Sequence, residues 1–352
     1  MTRVRAHTLT EGFERPEGVD ENAVVSALRV PPESSGMRLD RFVQSQLKRT
    51  SRTRAQYIIA VSAFSPEGKR LRVSDRVRPE QLIMLWRPPW DEEEVDVPLT
   101  ILYRDDALLA VDKPAFVPVH PTARYYRSTV VKRLEAMEPG TRHLLAHRLD
   151  KDTSGVLLVT VTSEADRHVK KQFAGLDPRT GKPSPRRFVD KTYLAIAHGW
   201  PDDDAFRVEL PLEEDSSSRL RVKMRVAAKG TGLVAATSCI VRGRRVRRET
   251  GERYCLVECG LETGRQHQIR VHLAESGHPI VGDKLYGGDA ERHARGVDGT
   301  LTDEDRAALE LTRHALHAHT LELEHPSTGA RIRFESELAQ DLAQFWASLE
   351  EG

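Results

Sequence analysis

Cysteine is scarce in this sequence: the 352 residues include three, Cys239, Cys255 and Cys259. Their spacing forms no paired framework, so the chain does not resemble a disulfide-stabilised secreted domain. No segment approaches the roughly 20 consecutive apolar residues that a membrane-spanning helix needs, and we expect no membrane association. Residues 1–20 are polar and have no apolar core, so we expect no secretory signal. These absences predict a cytoplasmic protein.

Signatures of bound cofactors are also missing. No glycine-rich phosphate loop follows a predicted strand, which argues against a nucleotide cofactor. The 14 histidines suggest a metal-dependent hydrolase as one alternative, particularly the clusters His314, His317, His319 and His267, His272. Neither cluster has a helical histidine pair around a glutamate, and the cysteines lack zinc spacing. We therefore expect no cofactor and no metal, and we interpret residues 314–319 as a polar patch at a strand edge.

The formal net charge is only +1, from 54 basic and 53 acidic residues. The basic residues are nevertheless concentrated in three segments, residues 38–54, 179–191 and 242–248. A single basic segment is often just a solvated face. Three of them in a neutral chain favour a polyanionic partner.

Composition and periodicity predict two folded domains. Residues 1–30 are expected to be a flexible tail, and residues 31–90 a small α/β domain. Within the latter, Leu39, Phe42, Val43 and Leu47 have helical spacing. Ser51 is a plausible N-cap for a second helix, and Val73 and Val77 are expected in short strands. Residues 91–97 form an acidic linker, and residues 98–352 form the large domain.

The large domain is predicted to belong to the α+β class. Short strands follow one another with tight turns, which favours a mostly antiparallel mixed sheet with flanking helices. The clearest helices are expected at residues 129–137, 163–173, 266–276 and 337–349.

One polar loop lies between two apolar strands. Residues 147–155 read His-Arg-Leu-Asp-Lys-Asp-Thr-Ser-Gly, with strands predicted at residues 144–146 and 156–161. Polar residues on a loop held by a rigid sheet are a usual arrangement for catalysis. The alternative is a solvated turn with an aspartate cap.

A second informative segment is residues 263–272. Arg270 follows Ile269 and precedes Val271, so its side chain is expected to be half-buried. A half-buried guanidinium needs an anionic partner. The alternative is a purely structural ion pair with any nearby acid.

Taken together, these segments resemble the RluA family of pseudouridine synthases. Residues 147–155 are similar to the family's aspartate motif, residues 191–195 to its tyrosine motif, and residues 264–273 with 277–283 to its arginine motif. The three occur in the family's order, and the resemblance extends over about residues 98 to 345. It implies the pseudouridine synthase catalytic fold.

Residues 37–86 resemble, more weakly, the S-four-like RNA-binding domain that many members carry. This chain departs from the family in the turn at residues 64–69 and in the long basic segment at residues 175–187. Both departures concern the choice of RNA and leave the catalytic motifs intact.

The resemblance implies an RNA-modifying isomerase. Such an enzyme flips a specific uridine out of structured RNA, breaks its glycosidic bond and rejoins the uracil through carbon, giving pseudouridine. Ribosomal RNA is the expected substrate, with transfer RNA as a second possibility. We expect a monomer that binds neither DNA nor membranes. The alternative is a non-catalytic RNA-binding or ribosome-assembly factor on the same fold.

The resemblance also assigns the catalytic residues. Asp150 corresponds to the catalytic carboxylate, which either attacks a sugar carbon or removes a ribose proton. Arg270 corresponds to the arginine that pairs with this carboxylate, and Tyr193 to the ring that packs beside the base.

Further residues are expected to contact the substrate RNA. Around the target nucleotide these are Arg148, Ile269, Arg265 and His147. Arg148 would fill the vacated stack or hold a phosphate, and Ile269 would form an apolar wall. The chemistry needs no histidine, so a structural role is the preferred interpretation for His147. The candidate RNA-binding surface comprises Arg38, Arg41, Arg52, Arg54, Arg244 and Arg245.

Overall fold

The computed structural model describes residues 15–352 except 21–22, 48–49, 88–96, 122–124, 126, 219–221, 289–291, 293–294 and 297–299. The chain divides into two compact units, Met1–Glu92 and Glu93–Gly352. Most of the predicted acidic linker, residues 91–97, lies outside the described residues. Among the residues described, no helix has the length and apolar character needed to cross a membrane.

The first unit packs two helices against a three-stranded sheet. The strands β1 (Val24–Arg29), β3 (Leu82–Arg87) and β2 (Ala63–Phe64) lie in that order, with both pairs antiparallel. The helices are α1 (Leu39–Gln46) and α2 (Arg52–Ser62).

Local sequence signals locate these helices well. The Ser51 side chain accepts a hydrogen bond from the Arg54 backbone N–H at 3.1 Å, as expected of an N-cap. Leu39, Phe42 and Val43 of α1 are buried in the core of the unit.

The N-terminal boundary of this unit was predicted incorrectly. Strand β1 falls within residues 1–30, which were expected to be a flexible tail. It pairs along its whole length with β3 and buries Val25 and Ala27. The predicted strands at Val73 and Val77 are likewise absent from the described elements, since Val73 lies in a turn and Val77 is buried outside any strand.

The second unit contains one large sheet and a separate two-stranded hairpin. Its strands are β4 (Thr100–Arg104), β5 (Leu108–Lys113), β6 (Leu144–Leu145), β7 (Ser154–Thr160), β8 (Asp190–His198), β9 (Ala205–Glu209), β10 (Leu212–Glu214), β11 (Met224–Val226), β12 (Ala236–Val246), β13 (Arg253–Leu261), β14 (Leu316–Glu324), β15 (Arg331–Glu335) and β16 (Glu350–Glu351). Its helices are α3 (Val130–Met137), α4 (Ser163–Phe173), α5 (Gln268–Glu275), α6 (Asp303–Leu309) and α7 (Gln340–Ala347).

The order of the main sheet is β16-β12-β13-β8-β14-β7-β5-β4. Its neighbouring strands pair antiparallel except β7 and β14, which are parallel. The α+β class with a mostly antiparallel mixed sheet is therefore confirmed. Strands β10 and β11 form a separate two-stranded hairpin.

The parallel pair brings the motifs together at one place. Ala318 of β14 pairs with Gly155 of β7 on one side and with Tyr193 of β8 on the other. Gly155 has a φ of +105°, and a Cβ atom there would lie 2.2 Å from the Ala318 carbonyl oxygen. Only glycine fits such a close backbone approach. The loop before β7 is thereby held against the strand that also positions Tyr193.

Helices α5 and α7 begin later than predicted, and α7 starts at Gln340 rather than residue 337. Helix α4 covers the predicted residues, and its N-cap is Thr162, whose side chain accepts from the Ala165 N–H at 3.1 Å. Helix α5 begins at Gln268 rather than residue 266. The preceding residue, His267, has a left-handed backbone with φ +56°, which ends the turn before the helix can begin.

Candidate active site

The loop that carries Asp150 is held from below by a buried lysine. Lys113, at the end of β5, has a fully buried side chain whose ammonium donates to the carbonyl oxygens of Pro114, Val117 and Lys151 at 2.8, 2.9 and 2.9 Å. Burial lowers the pKa of Lys113 to about 7, while nearby carboxylates, Asp152 first, act to raise it. Three carbonyl acceptors satisfy the donors of this group, and they fix the loop to the end of β5.

Arg313 fixes the other side of the same loop. Its buried guanidinium donates to the Asp152 carbonyl oxygen at 3.1 Å and forms two bonds, at 2.6 and 2.8 Å, with the Asp341 carboxylate at the start of α7. The loop therefore has little freedom to move relative to the sheet.

The histidines near Arg313 also support the loop. His314 shares a 2.8 Å hydrogen bond with the Thr153 hydroxyl, and His317 shares one of 3.0 Å with the Ser154 hydroxyl. Both imidazoles are buried. The interpretation of residues 314–319 as a strand-edge patch was therefore wrong, because β14 is an inner strand of the sheet.

Asp150 lies beside Arg270. Arg270 Nη1 donates to Asp150 Oδ2 at 3.2 Å, and its Nε and Nη2 donate to the two oxygens of Asp283 at 2.7 and 2.9 Å. The Arg270 side chain is 8% exposed and that of Asp283 is fully buried, whereas the Asp150 side chain is 26% exposed. One carboxylate thus anchors the guanidinium, and the other remains open to the cavity.

The electrostatics favour an ionised Asp150. Burial alone would raise the pKa of Asp150, but the charges of His267 and Arg270, with the Arg270 hydrogen bond, bring it below its usual value. Burial likewise opposes ionisation of Asp283, and the charge and hydrogen bonds of Arg270 hold the pKa of that carboxyl well below normal. Both acids are therefore anions at neutral pH.

His267 brings a second side-chain nitrogen near Asp150. Its Nε2 lies 3.6 Å from Asp150 Oδ2, and its Nδ1 shares a 2.8 Å hydrogen bond with the Tyr286 hydroxyl. The Tyr286 ring also lies under the Arg270 guanidinium, whose central carbon is 5.1 Å from the ring centroid. The unusual backbone of His267 directs its imidazole toward the carboxylate.

Sequence reasoning missed Asp283, His267 and Tyr286. Residues 277–283 were recognised as part of a motif, but no role was given to the aspartate that ends it. A buried guanidinium has five N–H donors, so more than one acceptor could have been expected for Arg270.

Tyr193 forms part of the cavity wall. It is 9% exposed, and burial together with the negative charge of Asp150 raises the pKa of its hydroxyl well above the ordinary value. The phenol therefore stays protonated. Ile269, 4% exposed, contributes an apolar surface to the same cavity.

The predicted substrate-facing residues all line one cavity of about 670 Å³. Its walls include Asp150, Tyr193, Arg270, Arg148, Ile269, His147 and Arg265. A cavity of this size is sufficient for a nucleotide-sized ligand. The structure thus brings these seven residues together, while their roles in the reaction stay predictions.

His147 has a clear structural function. Its Nε2 accepts a hydrogen bond from the Leu158 N–H at 2.9 Å, and its ring stacks on Phe173 with centroids 5.0 Å apart. Burial lowers the pKa of His147 to about 3, so the ring is neutral. These contacts join the loop to β7 and α4, which favours the structural interpretation.

In the first unit, the candidate RNA-binding arginines differ in their surroundings. Arg38 and Arg52 pair with the buried Asp40 at 3.2 and 2.9 Å and are partly exposed. Arg41 is exposed, and Arg54 lies over the Tyr57 ring. Arg38 and Arg52 therefore serve the fold of this unit as well as its surface charge.

Arg244 and Arg245 have intramolecular partners. They lie on β12, a strand of the main sheet that sequence analysis did not identify. Arg244 pairs with Asp204 and donates to the Pro201 carbonyl oxygen, while Arg245 donates to the Trp346 carbonyl oxygen and lies 5.0 Å from that ring. These contacts give both residues a structural function, and their RNA-binding role stays a prediction.

No group of three or more histidine, cysteine or acidic side chains suited to a metal ion occurs in the described part of the chain. The histidines that suggested a hydrolase form hydrogen bonds with other groups of the protein. His272, for example, bonds to the Thr237 hydroxyl and the Leu210 carbonyl oxygen, and His319 to the Ser336 carbonyl oxygen. Each is accounted for by a protein partner.

Comparison with known proteins agrees with this geometry. A family model described as RNA pseudouridylate synthase matches residues 107–275. The ribosomal large subunit pseudouridine synthase D of Xanthomonas campestris pv. campestris is 34% identical over 329 residues, covering 92% of each chain. The protein of the same name from Pseudomonas aeruginosa is 33% identical, covering 90% of this chain and 92% of its own.

Solved structures show the same fold. Human RNA pseudouridylate synthase domain containing 4 aligns with a TM-score of 0.51 and 25% identity, over 71% of this chain and 94% of its own. Human RNA pseudouridylate synthase domain containing 1 aligns with a TM-score of 0.52 and 23% identity, over 72% and 97% respectively.

Proposed function

Because this chain belongs to the RluA-type family of RNA pseudouridine synthases, we propose that its cavity receives a uridine flipped out of ribosomal RNA and that Asp150 carries the reaction. The protein is an RNA isomerase that converts uridine to pseudouridine. The observation that carries the residue assignment is the contact of Asp150 with Arg270 on the cavity wall, at 3.2 Å.

The reaction exchanges one bond of uridine for another. The N1–C1′ bond breaks and a C5–C1′ bond forms, while C5 loses a proton and N1 gains one. Atoms and electrons balance without an oxidant, a reductant or an energy source. The site therefore has to supply a base or nucleophile, hold the detached uracil and move protons.

Asp150 is suited to act first. As an anion it can attack the anomeric carbon or remove a ribose proton, and both routes require an ionised carboxylate. Burial opposes that charge, and the neighbouring His267 and Arg270 counteract this effect. Arg270 also remains anchored by Asp283, so it can release or strengthen its bond to Asp150 without leaving the site.

Tyr193 and Ile269 are proposed to hold the uracil while it turns. A phenol ring offers a flat surface on which a base can stack. Its raised pKa keeps the hydroxyl protonated, so this group can donate a hydrogen bond. Arg148 is exposed at the rim of the cavity and can occupy the space that the flipped base vacates, or contact a phosphate.

Ribosomal RNA is proposed as the substrate because the relatives at 33–34% identity are named as large-subunit enzymes. A non-catalytic function is not favoured, since Asp150, Tyr193 and Arg270 are present and share one cavity. We also propose a cytoplasmic location, in keeping with this substrate and with three cysteines that are all free thiols.

The first unit is proposed to be an S-four-like RNA-binding domain, with catalysis confined to the second unit. Exposed Arg41 and Arg54, with the partly exposed Arg38 and Arg52, would contact backbone phosphates. Such contacts increase affinity without reading sequence.

Two measurements test the proposed function. Tritium release from RNA labelled at C5 of uridine should depend on wild-type protein, proceed in the presence of a chelator, and disappear for Asp150→Asn. Pseudouridine mapping of total RNA from cells with and without the gene should identify a missing site in the large ribosomal RNA. Release by Asp150→Asn at the wild-type rate would refute the role of Asp150.

A further inference from the structure

Lys191 faces the cavity from the strand that carries Tyr193. The two residues are two positions apart on β8, so their side chains point to the same face. Both line the cavity. Lys191 therefore lies about 7 Å along the strand from the residue proposed to stack on the base.

The ammonium of Lys191 sits between two parts of the cavity wall. Its Nζ lies 5.4 Å from the centroid of the Phe173 ring, at the end of α4. On the other side is Gly264, where a Cβ atom would come 3.0 Å from Nζ. The bare glycine backbone thus leaves room for a charged group at this point.

Lys191 has no acidic partner in the part of the chain that the structure describes. Among the described residues, no carboxylate lies within ion-pairing distance of its Nζ, and no hydrogen-bond acceptor is in reach. Of the other cations around the site, Arg270 is paired with Asp150 and Asp283, and Arg187 with Asp190 at 2.9 Å. Arg148 and Arg265 also line the cavity, but both are exposed to solvent, whereas Lys191 is half-buried. A half-buried ammonium without a counterion is unfavourable unless a ligand supplies the charge.

Burial and a neighbouring positive charge make the unpaired ammonium of Lys191 still less favourable. Burial, with the positive charge of Arg187 nearby, lowers the pKa of Lys191 to about 8. Arg187 itself is held in place by bonds to the carbonyl oxygens of Val189 and Leu261. The region between β8, the end of α4 and Gly264 is therefore electropositive and suited to an anion.

We infer that Lys191 forms a phosphate-binding subsite of the cavity and holds the backbone phosphate next to the flipped nucleotide. This inference rests on the proposed function. A base stacked on Tyr193 remains joined to its own phosphate, and the neighbouring cavity wall offers Lys191 as a matching cation. An ammonium in a half-buried site gives a short, charge-assisted hydrogen bond to a phosphate oxygen.

The subsite differs from a general basic surface. Exposed arginines attract RNA at long range and are screened by salt. Lys191 instead lies within the cavity, so it can contact only a nucleotide that has entered. It would hold the target in the cavity and add little to the initial encounter.

The test combines a protein change with a matched change in the RNA. The probe is a synthetic RNA containing a uridine that the wild-type enzyme converts, with a neutral methylphosphonate in place of one phosphate at a time. The modified positions are the phosphates on the 5′ and 3′ sides of the target and one several nucleotides away. The proteins are wild type, Lys191→Met, Lys191→Arg and, as a control, Lys170→Met, which removes an exposed lysine that pairs with Asp166 outside the cavity.

Wild type should lose affinity by roughly tenfold or more when one of the two flanking phosphates is neutral, the strength expected of a charge-assisted hydrogen bond. Lys191→Met should bind the unmodified RNA equally weakly and show no further loss on that modified RNA. Lys191→Arg should remain sensitive, and Lys170→Met should behave as wild type. The salt slope of log affinity should fall by about 0.7 for Lys191→Met.

Thermal unfolding separates a binding role from a structural one. Removing an uncompensated half-buried charge should leave the melting temperature of Lys191→Met equal to or above that of wild type. A marked fall would overturn the inference, because it would mean that the ammonium stabilises the fold. Additive losses for Lys191→Met and both flanking methylphosphonates would overturn it as well.

Two further outcomes would distinguish a site for free anions from a failure of the proposed function. If millimolar inorganic phosphate stabilises wild type but not Lys191→Met while the methylphosphonates have no effect, the site takes a free anion and the assignment to RNA is wrong. If wild type forms no pseudouridine in any tested RNA, the proposed function fails, and this inference fails with it. If wild type forms pseudouridine but the affinity losses from Lys191→Met and from the flanking methylphosphonates are additive, the Lys191 subsite is refuted and the proposed function is not.

Discussion

Asp283 takes two hydrogen bonds from Arg270, at Nε and Nη2, and leaves Nη1 to Asp150, the proposed catalytic carboxylate. The guanidinium is thus anchored by an acid that is fully buried and is not among the residues lining the cavity. We propose that this division lets Asp150 exchange its partner during the reaction while Arg270 stays in place.

Asp150→Asn should abolish pseudouridine formation and leave the protein folded. The carboxylate is the proposed base or nucleophile, and its loss removes no anchor of Arg270 because Asp283 remains. The matched control is Asp152→Asn on the same loop, where the contact to Arg313 uses the backbone carbonyl. Tritium release and circular dichroism measure both. Loss of activity in Asp152→Asn as complete as in Asp150→Asn would contradict the assignment.

Arg270→Ala should lose activity and also destabilise the protein. It leaves Asp283 buried without its cation, and breaking a buried pair typically costs about 3–5 kcal/mol. Urea unfolding measures this, with Arg265→Ala as the control, because Arg265 donates to the backbone carbonyl of Val234 and anchors no buried acid. Unchanged unfolding and an unchanged rate for Arg270→Ala would refute the pairing.

The contribution of Asp283 to stability should depend on pH. Its folded-state pKa lies below the ordinary aspartate value of about 3.9. Stability from such a group is fully present above the unfolded pKa and is lost as pH falls toward the folded pKa. The difference in unfolding free energy between wild type and Asp283→Asn should therefore be constant from about pH 6 to 8 and shrink below about pH 4. A difference that grows with acidity would show that the carboxylate is not stabilised by Arg270.

Tyr193→Phe and Tyr193→Ala should separate the ring from the hydroxyl. Phenylalanine keeps the stacking surface, so RNA affinity should stay near wild type and any loss should be in the single-turnover rate. Alanine removes a buried aromatic ring, which should cost about 3–5 kcal/mol of stability and weaken RNA binding. If Tyr193→Phe binds RNA as weakly as Tyr193→Ala, the hydroxyl and not the ring is the main contact.

Arginines of the first unit should affect RNA affinity without altering chemistry. Arg41→Gln removes an exposed charge and should lower the salt slope of log affinity by somewhat under one unit, while the single-turnover rate at saturating RNA stays unchanged. Arg38→Gln should in addition reduce thermal stability, because Arg38 pairs with the buried Asp40. A collapse of the saturated rate in Arg41→Gln would place this residue in the catalytic machinery.

Local patterns located most secondary structure around the site. The helix predicted at residues 163–173 was confirmed at both ends because a capping residue and a glycine bracket an amphipathic segment. Strand β12 was missed because its six-residue end, from residue 241 to 246, contains three arginines, a composition typical of a solvated segment. Arg244 and Arg245 are half-buried in contact with Asp204 and Trp346, which are far from them along the chain.

The sequence by itself determined the order of the three motifs, the residue types at the site and the α+β class, because these follow from local spacing and chemistry. Tertiary structure alone decided which charges meet. Asp150 and Arg270 are 120 residues apart and touch, whereas Lys191, only two residues from Tyr193 along the same strand, faces the cavity without an acid. Ion pairing acts through space between groups that the fold brings within a few ångströms, and burial sets its strength. No local pattern records either quantity. Asp283 as the second partner of Arg270, and the position of Lys191 on the cavity wall, therefore became visible only in the folded chain.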